Sequence, residues 1–172
     1  NTDHYDRSFA SMARTALRMD PDVMVLGEMR DEDTAQVMAR AAITGHLVFS
    51  TVHTNSAPEI VTRLADLSVK HSLLASPDML VCLICQRLVP ILCKHCAVPV
   101  AQSSTHQEHL ARWYDIFEEN YLQLKARGDA CSECNDMGIS GRTVIAEVVW
   151  VDEEGRQFIH MGDTLGWSKY LR

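Results

Sequence analysis

No apolar run in this 172-residue chain reaches the roughly 20 residues a helix needs to cross a bilayer. The basic-then-apolar order of a secretory signal is absent too, since Asn1 to Asp6 are polar and acidic. Positive charge is scarce. Lys and Arg number 16 against 23 Asp and Glu, and the net charge of −7 argues against a nucleic-acid surface. Nor does the sequence contain G-x-x-x-x-G-K-S/T, the loop whose amides and lysine cradle phosphate groups.

What is there suits a globular protein. A hydrophobic content of 47% and this length are enough for one domain, or one domain with a small satellite. The chain starts without Met and stops at Leu171-Arg172 with no evident closing element, so we expect a fragment. Six cysteines fall as three C-x2-C pairs, Cys82/Cys85, Cys93/Cys96 and Cys131/Cys134. Without a signal we expect a reducing, cytoplasmic compartment, where such pairs more often hold metal or do redox work than form disulfides.

Periodicity orders the elements. Ser8 to Met19 has helical apolar spacing, and Asp20-Pro21-Asp22 ends it. Val23 to Leu26 is a continuous apolar run stopped by Gly27, the mark of a strand buried on both faces. Asp31 to Ile43 has acidic residues in its first turn, apolar residues at helical spacing and Gly45 as its stop. Leu47 to Val52 is a second strand, and Ala57 to Leu67 and Leu73 to Leu88 read as helices. Strand, crossover helix and strand form a βαβ unit, so a parallel, helix-covered sheet in an α/β fold is expected.

In such a sheet the ligand site lies beyond the carboxyl ends of the strands. Glu28 follows one strand, and Ser50, Thr51 and His53 follow or end the other. If the strands are neighbours, a carboxylate and an imidazole meet in one crevice. Phosphoryl transfer uses such parts, because its catalysis is mostly positioning and charge stabilisation. Taken alone, however, a Glu after a strand is usually a solvated loop residue, and a turn histidine usually has a backbone partner.

Cys93-Lys94-His95-Cys96 and Cys131-Ser132-Glu133-Cys134 are two knuckles able to close a tetrahedral site of four thiolates around Zn²⁺. They flank a long insert with a helical stretch from about His106 to Arg127. His95 suits a backbone-supporting role better than a ligand's. Cys82 and Cys85 sit in "DMLVCLICQRLVPIL", read here as mid-helix, where a free cysteine behaves as a small buried hydrophobe.

"FASMARTALRMDPD", "VMVLGEMRD" and "TGHLVFSTVHTN" resemble the aspartate box, Walker B and histidine box of the type II and type IV secretion and pilus-assembly ATPases. "RLADL", "QRLV", the two cysteine knuckles and "GRTVIAEVV" follow in the order of the assembly branch, so the resemblance runs from about Phe9 to Asp152. It implies a RecA-like parallel-sheet ATPase core, partial because the P-loop is missing, with a small tetracysteine zinc subdomain. The division expected is 1–92 for the core, 93–137 for the zinc subdomain and 138–172 for a return strand and carboxyl-terminal segment.

The resemblance also implies roles. Glu28 matches the Walker B glutamate that orients the attacking water, and His53 the histidine nearer the γ-phosphate. His46, Arg30, Arg14 and Arg18 match further nucleotide-site or interface positions, and Asp31 the acidic residue after Walker B. It implies ATP and Mg²⁺ in the full-length parent and a homohexamer at the cytoplasmic face of the inner membrane. The implied partners are the inner-membrane platform and other secretion or pilus proteins, not nucleic acid. The alternative is a non-catalytic zinc-bearing module that docks on membrane components.

Three departures stand out. The P-loop lies upstream in that family; Ser68 and Val144 stand where glycines are common; and "EEGRQFIHMGDTLGWSKYLR" does not resemble the usual ending. Without P-loop amides and lysine, most of a triphosphate's charge has no partner here. The chain alone should therefore neither hydrolyse ATP nor show saturable binding of a fluorescent ATP analogue at micromolar concentrations, about −8 kcal/mol. Magnesium-dependent turnover by the purified chain would contradict the fragment reading.

Overall fold

The computed structural model describes residues 8–103, 108–129 and 131–172. The chain divides into two compact units, with boundaries at Cys85/Gln86 and Ile145/Ala146. Among the described residues no helix is long and apolar enough to cross a membrane.

The first unit opens with α1 (Phe9–Leu17), whose first turn is capped by the Ser8 hydroxyl accepting from the Ser11 amide. Next come β1 (Val23–Leu26), α2 (Glu32–Ile43) and β2 (Leu47–Ser50). The strands pair in parallel, Val23 with Leu47 through Leu26 with Ser50, so the βαβ unit read from the sequence is present. Asp31 starts α2 as its cap, its carboxylate accepting from the Thr34 amide at 2.8 Å.

The expected burial of β1 on both faces does not hold. Met24 is buried against α1 and α2 with Ala13, Val37, Met38 and Ala41, but Val23 and Val25 are 51% and 79% exposed. The physical reason is that, among the described residues, β1 and β2 form a sheet of two strands covered on one face.

Helix α2 is buried on more than one side. Val37, Met38 and Ala41 pack in the cluster around Met24, while Ala35 and Ala39 pack in a second, larger one. That cluster joins Ala57, Val61 and Leu64 of α3 (Ala57–Asp66) with Leu74 of the single-turn α4 (His71–Leu74). After α3 the chain turns through Ser68, whose φ is +62°. A glycine would adopt that left-handed geometry freely, whereas serine pays about 1–2 kcal/mol for it.

The helix expected from Leu73 to Leu88 is absent. Its first two residues finish α4, Pro77 interrupts, and Cys82–Leu92 is a strand, β3. An apolar run that long does not announce its own period, and here the burial alternates, with Leu83 and Cys85 buried and Ile84 exposed. Cys82 and Cys85, three apart on a strand, lie on opposite faces and cannot act as a pair. Cys85 is a core hydrophobe, as read, but on a strand.

β3 pairs with β6 (Ile139–Trp150). Segment 153–172, unfamiliar in sequence, forms α6 (Glu153–Met161) and α7 (Thr164–Tyr170) and gives Ile159 and Trp167 to the larger cluster. In the second unit, β4 (Val98–Pro99) pairs antiparallel with β5 (Lys125–Ala126). The long insert helix is also shorter than expected: α5 covers Leu110–Phe117, Glu118 leaves it at φ +49°, and a 3-10 stretch continues to Gln123. His106, where that helix was expected to begin, lies outside the described residues.

Asp152 ties α6 to α7. Its carboxylate accepts from the Gly155 amide at 2.7 Å and the Tyr170 hydroxyl at 2.9 Å. The Gly155 amide, then Tyr170, hold the carboxyl below the usual range, and Asp152 pushes the Tyr170 phenol up to about 12. A depressed carboxyl contributes stability above its unfolded pKa and loses it as pH falls below. Asp152→Ala should cost about 1 kcal/mol in denaturant melts at neutral pH. That deficit should shrink as pH drops below about 4.

Candidate functional site

Parallel pairing brings the carboxyl ends of β1 and β2 side by side at Leu26 and Ser50. Two short exits leave from that edge, Gly27-Glu28 and Thr51 to His53. The Thr51 hydroxyl donates to the Gly27 carbonyl at 2.5 Å, and the Met29 amide donates to the Thr51 carbonyl at 3.0 Å.

Glu28 and His53 meet as their positions imply. His53 Nε2 lies 3.2 Å from Glu28 Oε1, and Arg30 Nε donates to Glu28 Oε2 at 2.7 Å. The Glu28 side chain is 18% exposed, whereas those of Arg30 and His53 are 69% and 88% exposed. A largely shielded carboxylate therefore carries one basic group on each oxygen, both reaching in from solvent. Exposed pairs of this kind add little stability, so their arrangement matters more for what the carboxylate can do. Close by in sequence, the Ser50 hydroxyl oxygen is buried with no hydrogen-bond partner among the described residues.

The other candidates lie elsewhere. His46 precedes β2, at the amino end of the strand and away from Glu28. Its Nδ1 donates to the Ala41 carbonyl at 3.0 Å and lies 3.1 Å from the Thr44 hydroxyl, which fastens it to the last turn of α2. Arg14 and Arg18 are exposed at the end of α1, and no ion pair involves them among the described residues. Asp31 is occupied as the α2 cap.

The second unit holds four thiols in one group. The sulfurs of Cys93, Cys96, Cys131 and Cys134 all lie within 4.8 Å of one another. Cys93–Cys131, Cys96–Cys134 and Cys131–Cys134 are 3.8, 3.9 and 3.6 Å apart. A tetrahedral zinc with bonds of about 2.3 Å would set its sulfurs about 3.8 Å apart, so the donor set fits that ion. A disulfide needs about 2.05 Å, and all four cysteines are free. His95 is exposed and outside this group.

The backbone shapes both knuckles. The Gly138 amide donates to Cys134 Sγ at 3.1 Å, and the Cys93 amide donates to the Gly138 carbonyl at 3.1 Å. Gly138 has φ +65°, after Asn135 and Asp136 at +49° and +60°. Gly128 matters by size: a Cβ there would overlap the Cys96 carbonyl. Burial pushes the Cys96 thiol up to about 12 and raises Cys131 as well. Cys134 falls to about 6, through a backbone hydrogen bond at Cys131 and then the Gly138 amide. Bringing four thiols together costs free energy without a cation to favour their ionised form.

Sequence spacing located Glu28, His53 and the cysteines but missed Thr51 as a link between strand ends and Gly128 as a spacer. The only sequence signal for Thr51 is a hydroxyl just after an apolar strand. Gly128 has none.

Known proteins resemble this chain in fold and sequence. The crystal structure of the pilus retraction motor PilT with bound ADP superposes with a TM-score of 0.62 at 27% identity, covering 96% of this chain and 36% of that one. The ATPase DotB of Legionella pneumophila gives 0.60 at 21% identity, covering 96% and 34%, a likeness of fold alone. The fold is thus the α/β one of these ATPases, in part. Type II secretion system protein E of Aeromonas hydrophila is 42% identical over 155 residues, 90% of this chain and 30% of its own. The type IV pilus assembly ATPase TfpB of Acinetobacter baylyi is 39% identical over 154 residues, covering 90% and 26%. The chain thus spans less than a third of these curated relatives. The family model described as type II/IV secretion system protein matches residues 2–172, and the chain belongs to that family.

Proposed function

We propose that this chain is part of an ATP-hydrolysing motor subunit that drives pilus or pseudopilus assembly in a type II or type IV-pilus-like secretion system. The supporting observation is the Glu28 carboxylate, shielded at the carboxyl edge of the parallel pair with His53 3.2 Å from one oxygen. In the reading proposed, the complete subunit binds ATP with Mg²⁺ through a P-loop carried by its remaining part. Residues 1–92 belong to its RecA-like core, 93–137 to a zinc subdomain and 138–172 to the return strand and carboxyl-terminal helices. The subunit works as a homohexamer on the inner-membrane platform, at the cytoplasmic face.

Glu28 Oε1 is the atom to accept a hydrogen bond from water and aim it at the γ-phosphate, once His53 swings away. His53, mostly in solvent, is free to make that move and to donate to the γ-phosphate instead. Arg30 stays on Oε2 and keeps the carboxylate turned. Positioning and charge supply most of the catalysis in such a transfer. Arg14, Arg18 and His46 are assigned to contacts between subunits or within the core.

The four cysteines hold a structural Zn²⁺, which ties the two ends of the insert together. The second reading, a docking module, draws on α5, where no residue is buried and Tyr114, Ile116 and Phe117 are exposed.

Glu28→Gln in the full-length subunit should slow hydrolysis by one to a few orders of magnitude, ~1.4 kcal/mol per factor of ten, with ATP binding retained. His53→Ala should lower turnover and weaken discrimination between ATP and ADP. Parallel rate and binding assays decide; parent-like hydrolysis by Glu28→Gln would leave Glu28 a loop residue.

Elemental analysis of the purified protein should find close to one zinc per chain. Cys131→Ser should release it and loosen the insert while the β1–β2 pair stays folded. Gly128→Ala should weaken zinc retention against a chelator, since its methyl displaces the Cys96 knuckle. Stoichiometric zinc after loss of both Cys131 and Cys134 would remove this assignment.

A further inference from the structure

Hydrolysis requires Glu28 to point in one direction, and the residue before it works against that. Gly27 is exposed, and a Cβ built on it would meet nothing within 4 Å, so neither a side chain nor packing restrains its backbone. The β1–β2 pairing cannot do so either, because it ends at Leu26 and Ser50.

One residue spans the gap. Thr51 Oγ1 donates to the Gly27 carbonyl, and the Thr51 carbonyl accepts from the Met29 amide. The Gly27 carbonyl belongs to the peptide plane entering Glu28, and the Met29 amide to the plane leaving it. With both planes held, the two backbone dihedrals of Glu28 are restrained, which sets its Cα–Cβ direction and limits the rotamers from which Arg30 and His53 take the carboxylate.

We propose that Thr51 is the positioning residue of this site, clasping both peptide groups around Glu28 so that its carboxylate is aimed before nucleotide arrives. The inference rests on the hydrolysis reading of Glu28. Thr51 makes no bond to the carboxylate itself and acts only through the backbone. Any residue could supply the carbonyl half of the clasp. The hydroxyl half needs threonine or serine, and it is the bond that holds the Gly27 carbonyl.

The test uses the full-length parent subunit with Thr51→Val, which keeps the branched shape without the hydroxyl, and Thr51→Ser, which keeps the hydroxyl. Thr51→Val should lower kcat about ten-fold, ~1.4 kcal/mol, while KM for ATP and nucleotide affinity stay within about two-fold. Thr51→Ser should recover most of the rate. Adding Thr51→Val to Glu28→Gln should cost nothing further, because the group being aimed is already disabled. If Thr51→Val does not assemble as the parent does, Thr51→Ala carries the same expectation. Parent-like kcat in Thr51→Val beside a slow Glu28→Gln would overturn the positioning role and leave the hydrolysis reading standing. Equal slowness in Thr51→Ser, additive losses in the double variant, or failure of both Val and Ala to assemble would overturn it too. A parent-like Glu28→Gln would remove the hydrolysis reading, and the positioning role with it.

Discussion

Parallel pairing of β1 with β2 is the constraint on which the first unit depends. Antiparallel neighbours would send their carboxyl ends to opposite edges, and Glu28 and His53 could not meet. A parallel pair needs a crossover between its strands, and α2 fills that role with small residues. Ala35, Ala39 and Ala41 let it lie close to its neighbours on two sides, which fixes where β2 begins and thus where its end falls. A larger residue at Ala41, fully buried, would push the strand pair out of register with its own crossover.

The second unit is organised differently. It has little apolar core, since Val100 and Ala126 are buried there but none of α5 is. What the described residues show there instead is a group of four sulfurs with backbone hydrogen bonds around it. The 3-10 turn Ser132–Cys134 brings Cys134 back over Cys131, and left-handed residues at Asn135, Asp136 and Gly138 then return the Gly138 amide to the Cys134 sulfur. A cation bound there would supply the staple that a unit with so large a surface for its interior lacks.

How much of this could be read from the residues varied with the kind of signal. Short β-branched runs ended by Gly27 and followed by polar residues gave away both strands and their exits. C-x2-C spacing gave away the tetracysteine group. The strand at Cys82–Leu92 was hidden, because an apolar run without polar residues at a fixed interval fits either period. The exposure of Val23 and Val25 was hidden as well, since a run suited to burial does not say how many neighbours are present. Thr51 and Gly128 act through backbone atoms distant in sequence, 24 and 32 residues away respectively, and such contacts leave no local pattern. Ser68 marked its own left-handed turn only because glycine is commoner there.

The face of β1 and β2 that no described residue covers bears on how the isolated chain behaves at high concentration. Val23 and Val25 stand beside Leu47 and Phe49 in register, all more than half exposed, as a ridged oily strip. Adjacent backbone edges of a two-stranded ribbon offer unpaired amides and carbonyls to any similar ribbon. Molecules carrying both features tend to stack. The net charge of −7 opposes that stacking by mutual repulsion, and added salt screens the repulsion within about 10 Å at 0.1 M. Colloidal stability of the isolated chain should therefore fall as ionic strength rises.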